Sequence, residues 1–248
     1  MIPVQTKKWQ GALYSALVVL LTWWLVAWLA GLPIIPSPVA VFHNIIDIFR
    51  PRMEIHVWYS LLRISAGIVI SLLIGVPLGF LMGYFDRVDR LFSPLVYFTY
   101  PVPKLALLPV VMLIFGLGES SKLIMIVLIV IFQIIISARD AVKGIPQEIY
   151  RSLQSLGASR FQMLKEIIIP ASASEVLTST RLALGTAISI LFFTETFGTE
   201  YGMGYFIMDS WMRVNYLDMY AGIVVLSFMG FCLFTVIDLI ENRLSSWR

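Results

Sequence analysis

Three charged residues stand where this 248-residue chain is otherwise apolar. Lys104 lies between Pro103 and Leu105, Glu195 is flanked by Thr194 and Thr196, and Arg181 precedes Glu195 in the same apolar run. A charge at such depth is costly, so it faces a cavity, a path or a partner. The prolines around Lys104 open the backbone, as irregular segments do where they line cavities. Lys104 could therefore meet an anionic solute in transit, or it could snorkel to an interface. Thr194 and Glu195 are candidates for lining the same path or a gate. Glu195 could equally form an ion pair with Lys104 or Arg181, and Arg181 itself reads as an inner-surface anchor.

Other chemistry is missing from the pattern. There is no G-x-x-x-x-G-K-[S/T] phosphate loop and no nucleophile–base arrangement, so no residue is expected to be catalytic. His43 and His56 are isolated, and no cluster has metal-ligand spacing, so no metal site is expected. Cys232 is a lone cysteine in an apolar run and reads as a small apolar residue. A net charge of +3 is modest and argues for orientation in a membrane, not for nucleic acid.

The elements that must position these residues follow from composition. The chain is 59% hydrophobic and 13% charged, about half the charge of a soluble domain, and its mean hydropathy is +0.87. Its apolar runs are continuous over roughly 20 residues, which selects membrane-spanning helices over alternating barrel strands. The expected fold is an all-α membrane protein forming one domain over 1–248. Six spans are predicted, at Leu13–Ala30, Tyr59–Tyr84, Leu91–Phe115, Leu123–Ser137, Val176–Phe197 and Met219–Ile240. The third is interrupted by Pro94, Pro101, Pro103 and Pro109. An outer loop at 31–58 carries a short amphipathic helix over Val39–Phe49, and 198–218 reads as a turn and a short helix over Tyr205–Val214. With the N-terminus inside, 11 of the 18 Lys and Arg residues fall on the cytoplasmic side (Lys7, Lys8, Arg87, Arg90, Arg139, Lys143, Arg151, Arg160, Lys165, Arg243 and Arg248). Five face out: Arg50, Arg52, Arg63, Lys122 and Arg213. The bias predicts both termini in the cytoplasm.

Between the fourth and fifth spans lies a polar, helix-forming island. Pro146 suits a first helical turn, and Glu148 complements the dipole there. Ile149, Leu153 and Leu156 make one apolar stripe. Gly157 supplies a left-handed cap. Ser159 and Gln162 have capping-box spacing, so a second helix starts at once. It is predicted to end before Pro170, with Ser172 and Glu175 opening the fifth span through another capping box.

The island resembles the EAA loop of permease subunits in ATP-binding-cassette importers, whose motif reads Glu-Ala-Ala, three residues, Gly, nine residues, Ile, one residue, Leu-Pro. Gly157, Ile167 and Pro170 match at the right spacing, and Ile169 replaces the leucine. Arg151-Ser152-Leu153 stands in place of Glu-Ala-Ala. Pro101-Val-Pro-Lys-Leu-Ala-Leu-Leu-Pro109, Phe115-Gly-Leu-Gly-Glu-Ser-Ser-Lys122, Thr194-Glu195, Gly202-Met-Gly204 and Glu241-Asn-Arg-Leu-Ser-Ser-Trp247 resemble the nitrate, sulfonate and taurine branch.

The resemblance implies type I importer architecture in a bacterial inner membrane, with 139–175 as a cytoplasmic coupling loop. Ile149, Tyr150, Arg151, Ser152, Leu153, Gly157, Ala158, Ile167 and Pro170 would serve ATPase coupling. Lys104, Thr194 and Glu195 would belong to the translocation path. The implied partners are ATP-binding-cassette ATPase subunits carrying the ATP and Mg, a second permease copy, an extracytoplasmic solute-binding protein and membrane lipid. No cofactor is expected in this chain. The implied cargo is a small anion such as a sulfonate, taurine or nitrate. Thiamine-precursor-like solutes, or a stand-alone secondary transporter, are the alternatives.

Overall fold

The computed structural model describes residues 4–244, and all regular structure among them is helical. In chain order the helices are α1 (Val4–Ala30), α2 (Pro38–Ile48), α3 (Glu54–Tyr84), α4 (Asp86–Thr99), α5 (Leu108–Phe115), α6 (Glu119–Lys143), α7 (Gln147–Ser155), α8 (Arg160–Met163), α9 (Ile169–Glu195), α10 (Met203–Met212) and α11 (Tyr216–Leu244). Four helical runs in the described chain are long and apolar enough to cross a membrane. A bent pair, Asp86–Thr99 with Lys104–Phe115, makes five if it is one span. The described apolar part of α1, Tyr14–Ala30, is shorter. The side chains of Lys7, Lys8 and Leu13, and residues 245–248 altogether, lie outside what the structure describes.

Several expected breaks are not there. The short helix after Ala30 begins where Ser37 caps it, accepting from the Ala40 N–H at 3.3 Å, with Pro38 in its first turn. It does not end in a loop before the second span. A π-helical turn, Phe49–Met53, absorbs Pro51 and joins α2 to α3, so that Pro38–Tyr84 is one 47-residue run. The same device carries the chain past Pro170. The π turn Leu164–Ile168 takes a wider register, in which the Ile169 N–H reaches Leu164 O, just where Pro170 lacks a donor. The helix predicted to stop before Pro170 therefore continues, and Arg160–Glu195 is a single 36-residue run. Ser172 is not a cap either, since its hydroxyl donates back to Ile168 O at 2.5 Å inside that run.

The real break in the third span lies at Pro101–Pro103, where the chain bends by 81° and restarts as a 3-10 turn, Lys104–Leu107. Pro94 is tolerated inside α4, and Pro109 sits in the first turn of α5.

The main core joins α3, α5, α6, α9, α10 and α11 around Ile64, Ile126, Val130, Ala187 and Leu191. One face of α3 carries Gly67, Ser71, Gly75, Gly79 and Gly83 at every fourth position, a small-residue stripe the sequence reading passed over. It lets α6 approach to backbone contact. A Cβ on Gly79 would lie 2.6 Å from the Ala138 Cβ, and one on Gly83 would lie 2.5 Å from the Val142 Cβ.

Candidate functional site

Two polar regions stand at opposite ends of the Arg160–Glu195 run. At the Glu195 end, Arg63 of α3 is held between two carboxylates. Its Nη1 donates to Glu195 Oε1 at 2.8 Å and to Tyr201 O at 2.7 Å, while Nε and Nη2 fork onto Glu119 at 2.6 and 2.5 Å. Such bidentate pairs are the strong ones. Ser60, one turn before Arg63, lies 2.7 and 2.8 Å from the Glu195 oxygens. Glu195 is fully buried and Arg63 nearly so.

This cluster also starts α10. The N-cap of α10 is Gly202, which has no side chain to accept from the first N–H groups. Glu195 accepts from Gly204 N–H at 2.9 Å, and Ser60 Oγ accepts from Met203 N–H at 2.7 Å. A carboxylate at a helix N-terminus also complements the dipole. Gly202 has φ +133°, and any Cβ there would collide with the Glu195 carboxyl group. Beside it Lys122 is buried and donates to the carbonyls of Leu117, Gly118 and Gly198 at 2.9, 3.2 and 3.3 Å. His56 Nδ1 accepts from Gly202 N–H at 3.1 Å.

The partners proposed for Glu195 from sequence are elsewhere. Lys104 donates to Tyr100 O at 2.9 Å and stands over the Tyr100 and Phe132 rings, 5.4 and 5.0 Å from their centroids. Phe132 lies 13 residues along α6 from Glu119, about 20 Å at the helical rise. Arg181 pairs with Asp238 at 2.7 Å and Glu241 at 3.0 Å on α11, and Glu241 also accepts from Ser174 and Thr178. Thr194 is buried and donates to Leu191 O. Sequence reasoning assigned Arg63 to the outer loop count. The available signal was an arginine inside the span Tyr59–Tyr84, which needs an acid as surely as Lys104 needs a partner.

At the other end, α7 closes with a Schellman turn. Gly157 has φ +79°, its N–H donates to Gln154 O at 2.9 Å, and Ala158 N–H donates to Leu153 O at 3.2 Å. The capping box follows immediately: Gln162 N–H to Ser159 Oγ at 3.3 Å and Ser159 N–H to Gln162 Oε1 at 2.7 Å. A small apolar cluster attaches this island, with Tyr150 and Leu153 packed on Val142, Ile145, Ile167 and Ile168. The expected stripe is corrected here. Leu153 packs inward, but Ile149 and Leu156 are exposed, at 45% and 83%, and Tyr150 takes the inner position instead. Burial pushes the Tyr150 hydroxyl above the usual tyrosine range, and neighbouring Tyr84 adds to the effect. Arg151, Ser152 and Gly157 are exposed, whereas Ala158 and Pro170 are half-buried. Among the described residues no group of three His, Cys, Asp or Glu could hold a metal ion.

Residues 75–246, which include the island, Glu119 and Glu195 but not Ser60 or Arg63, match the family model described as the binding-protein-dependent transport system inner membrane component. The chain belongs to this family. It is a multi-pass inner-membrane permease subunit of an ABC importer that carries small solutes. It is 34% identical over 243 residues to the taurine transport system permease protein TauC of Escherichia coli (strain K12), covering 94% of this chain and 88% of the relative. It is 29% identical to the formylaminopyrimidine transport permease protein ThiX of Halalkalibacterium halodurans, covering 94% and 93%. It is 26% identical to the putative aliphatic sulfonates transport permease protein SsuC of Bacillus subtilis (strain 168), covering 97% and 88%. A chain in a solved structure of the MetNI methionine ABC transporter, inward facing, shares the permease's fold. Its TM-score is 0.68 at 18% identity, covering 77% of this chain and 94% of that one.

Proposed function

We propose that this permease moves a small sulfonate, with taurine the first candidate, across the membrane as one half of a homodimer. Each copy contributes six spans, counting α1 and the bent pair as one each, and both termini and the island face the cytoplasm. A solute-binding protein delivers cargo from outside. Separate ATPase subunits carry ATP and Mg and dock on the island, at Ile149, Tyr150, Arg151, Ser152, Leu153, Gly157 and Ala158. Ile167 and Pro170 anchor the island's return into the membrane. The similarity to TauC and SsuC supports the sulfonate. The similarity to ThiX supports a formylaminopyrimidine-like solute as the second reading.

The observation that carries the coupling role is the Gly157 turn leading directly into the unbroken Arg160–Glu195 run. A push that passes the Gly157 turn meets no further break in the helix between Arg160 and Glu195. The test is to purify the permease with its ATPase and reconstitute it in liposomes. A β-branched residue at φ +79° is strained, so Gly157→Val is expected to keep ATP hydrolysis while solute moved per ATP falls roughly tenfold, a coupling loss of ordinary size. Unchanged stoichiometry, or no ATPase in the complex, would sink the reading. Lys104 is assigned to the path because its ammonium lies at the Pro101–Pro103 break, half-buried and, among the described residues, without a carboxylate partner. Removing one charge-assisted bond by Lys104→Gln is expected to raise the half-saturating taurine concentration about tenfold. An unaltered value takes Lys104 out of the path.

A further inference from the structure

A long apolar groove runs beside the island. One wall is the last part of α3, from Val76 to Phe85, and the other is the Arg160–Glu195 run from Arg160 to Leu177. The groove encloses about 760 Å³, and Arg160, at one end, is the single charged residue among the described residues that line it. Its guanidinium lies 5.8 Å from the centre of the Phe85 ring, with no carboxylate among its described contacts. Phe161, Leu81 and Ile169 are left 72%, 46% and 47% exposed along the same walls.

The groove has the dimensions of one leaflet. Val76 to Phe85 spans nine helical steps, about 14 Å, against about 15 Å for half of a hydrocarbon core. Both walls belong to runs that are apolar enough to cross a membrane. Lys165 and Glu166, about one turn beyond Phe161, and Asp86 and Arg87, just beyond Phe85, are exposed near the same end and balance one another, which leaves Arg160 as the net charge at that mouth. A slot that is apolar along its length and cationic at one mouth matches an acyl chain below a negative headgroup.

We propose that this groove binds an anionic phospholipid, with the acyl chain between α3 and the Arg160–Glu195 run and the phosphate on Arg160. The assignment rests on the island facing the cytoplasm, where basic pockets between spans meet anionic headgroups. Arg160 opens the helix that the Ser159 capping box starts, three residues after the Gly157 turn. The bound lipid therefore pins the base of the island to the bilayer surface, and the composition of the membrane sets how firmly the island is held.

The test uses the permease–ATPase complex in nanodiscs of phosphatidylcholine with rising phosphatidylglycerol, and mass spectrometry counts the phosphatidylglycerol retained after extraction. Arg160→Gln is expected to need about fivefold more phosphatidylglycerol for the same retention. Ala173→Phe, which fills the groove but leaves the cation, is expected to lose retention as well. Wild-type retention in either variant overturns the proposal. So does a photo-crosslinker at Phe161 that captures a second permease copy instead of lipid, because protein then fills the groove. If lipid is retained but no ATPase co-purifies, the docking role fails and the lipid site stands.

Discussion

The Glu195 end and the island end of one continuous helix are built in opposite ways. At the Glu195 end the arginine, both acids and the lysine are tied across α3, α6, α9 and the start of α10, with Glu195 and Lys122 almost completely withdrawn from solvent. The bonds from Ser60 and Arg63 to Glu195 connect residues more than a hundred positions apart. At the island end nearly every bond is local, from Gly157 to Gln154 or from Ser159 to Gln162, and the attachment to the body is a small apolar patch. A long-range polar lattice fixes where elements sit relative to each other. A locally satisfied pair of short helices keeps its own shape while leaving Ile149, Leu156 and Phe161 uncovered for other surfaces. The difference separates the part that must hold its geometry from the part that must present a surface.

That contrast can be broken from both sides. The largest effect is expected from Arg63→Leu, which strands Glu195 as an uncompensated buried charge. Removing one partner of such a pair costs roughly 3–5 kcal/mol, to be read as a lowered unfolding midpoint of the detergent-solubilised permease. Adding Glu195→Leu should restore part of it. If the single and double variants unfold alike, the lattice is not what holds this end. Gly157→Val comes next, at about 1–2 kcal/mol for a side chain in the left-handed region. Hydrogen exchange should localise its loss to residues 147–162 and leave the amides of Met203 and Gly204 protected. Exposure at both ends would mean that the two regions are one cooperative unit. The smallest is Ser159→Ala, about 1 kcal/mol for a lost N-cap, seen as faster exchange at Gln162 alone.

What could be read from the sequence divides along the same line. The Gly157 turn and the Ser159–Gln162 capping box were legible because each is encoded within four residues, and the spans were legible because their apolar runs are long. The pairing of Arg63 with Glu195 was not, since nothing local links positions 132 apart, and the basic residue had been counted with a loop. The continuity through Pro170 was hidden because proline normally ends a helix, and only the wider turn at Leu164–Ile168 shows how the missing donor is accommodated. The every-fourth small residues of α3 were in plain view but signal a close neighbour only once α6 is known to be that neighbour.

The stripe from Gly67 to Gly83 has one more consequence. Over more than four turns the α3 side of this contact has almost no side chains, and Ile126, Ile134, Ala138 and Val142 of α6 sit directly against its glycines, leaving little room for one helix to slide past the other. They behave as a welded plank. A transport cycle that keeps them in contact must carry both as one body, which leaves the proline break before Lys104, bent by 81°, as the place between them in the chain where the protein can fold and unfold like a knee.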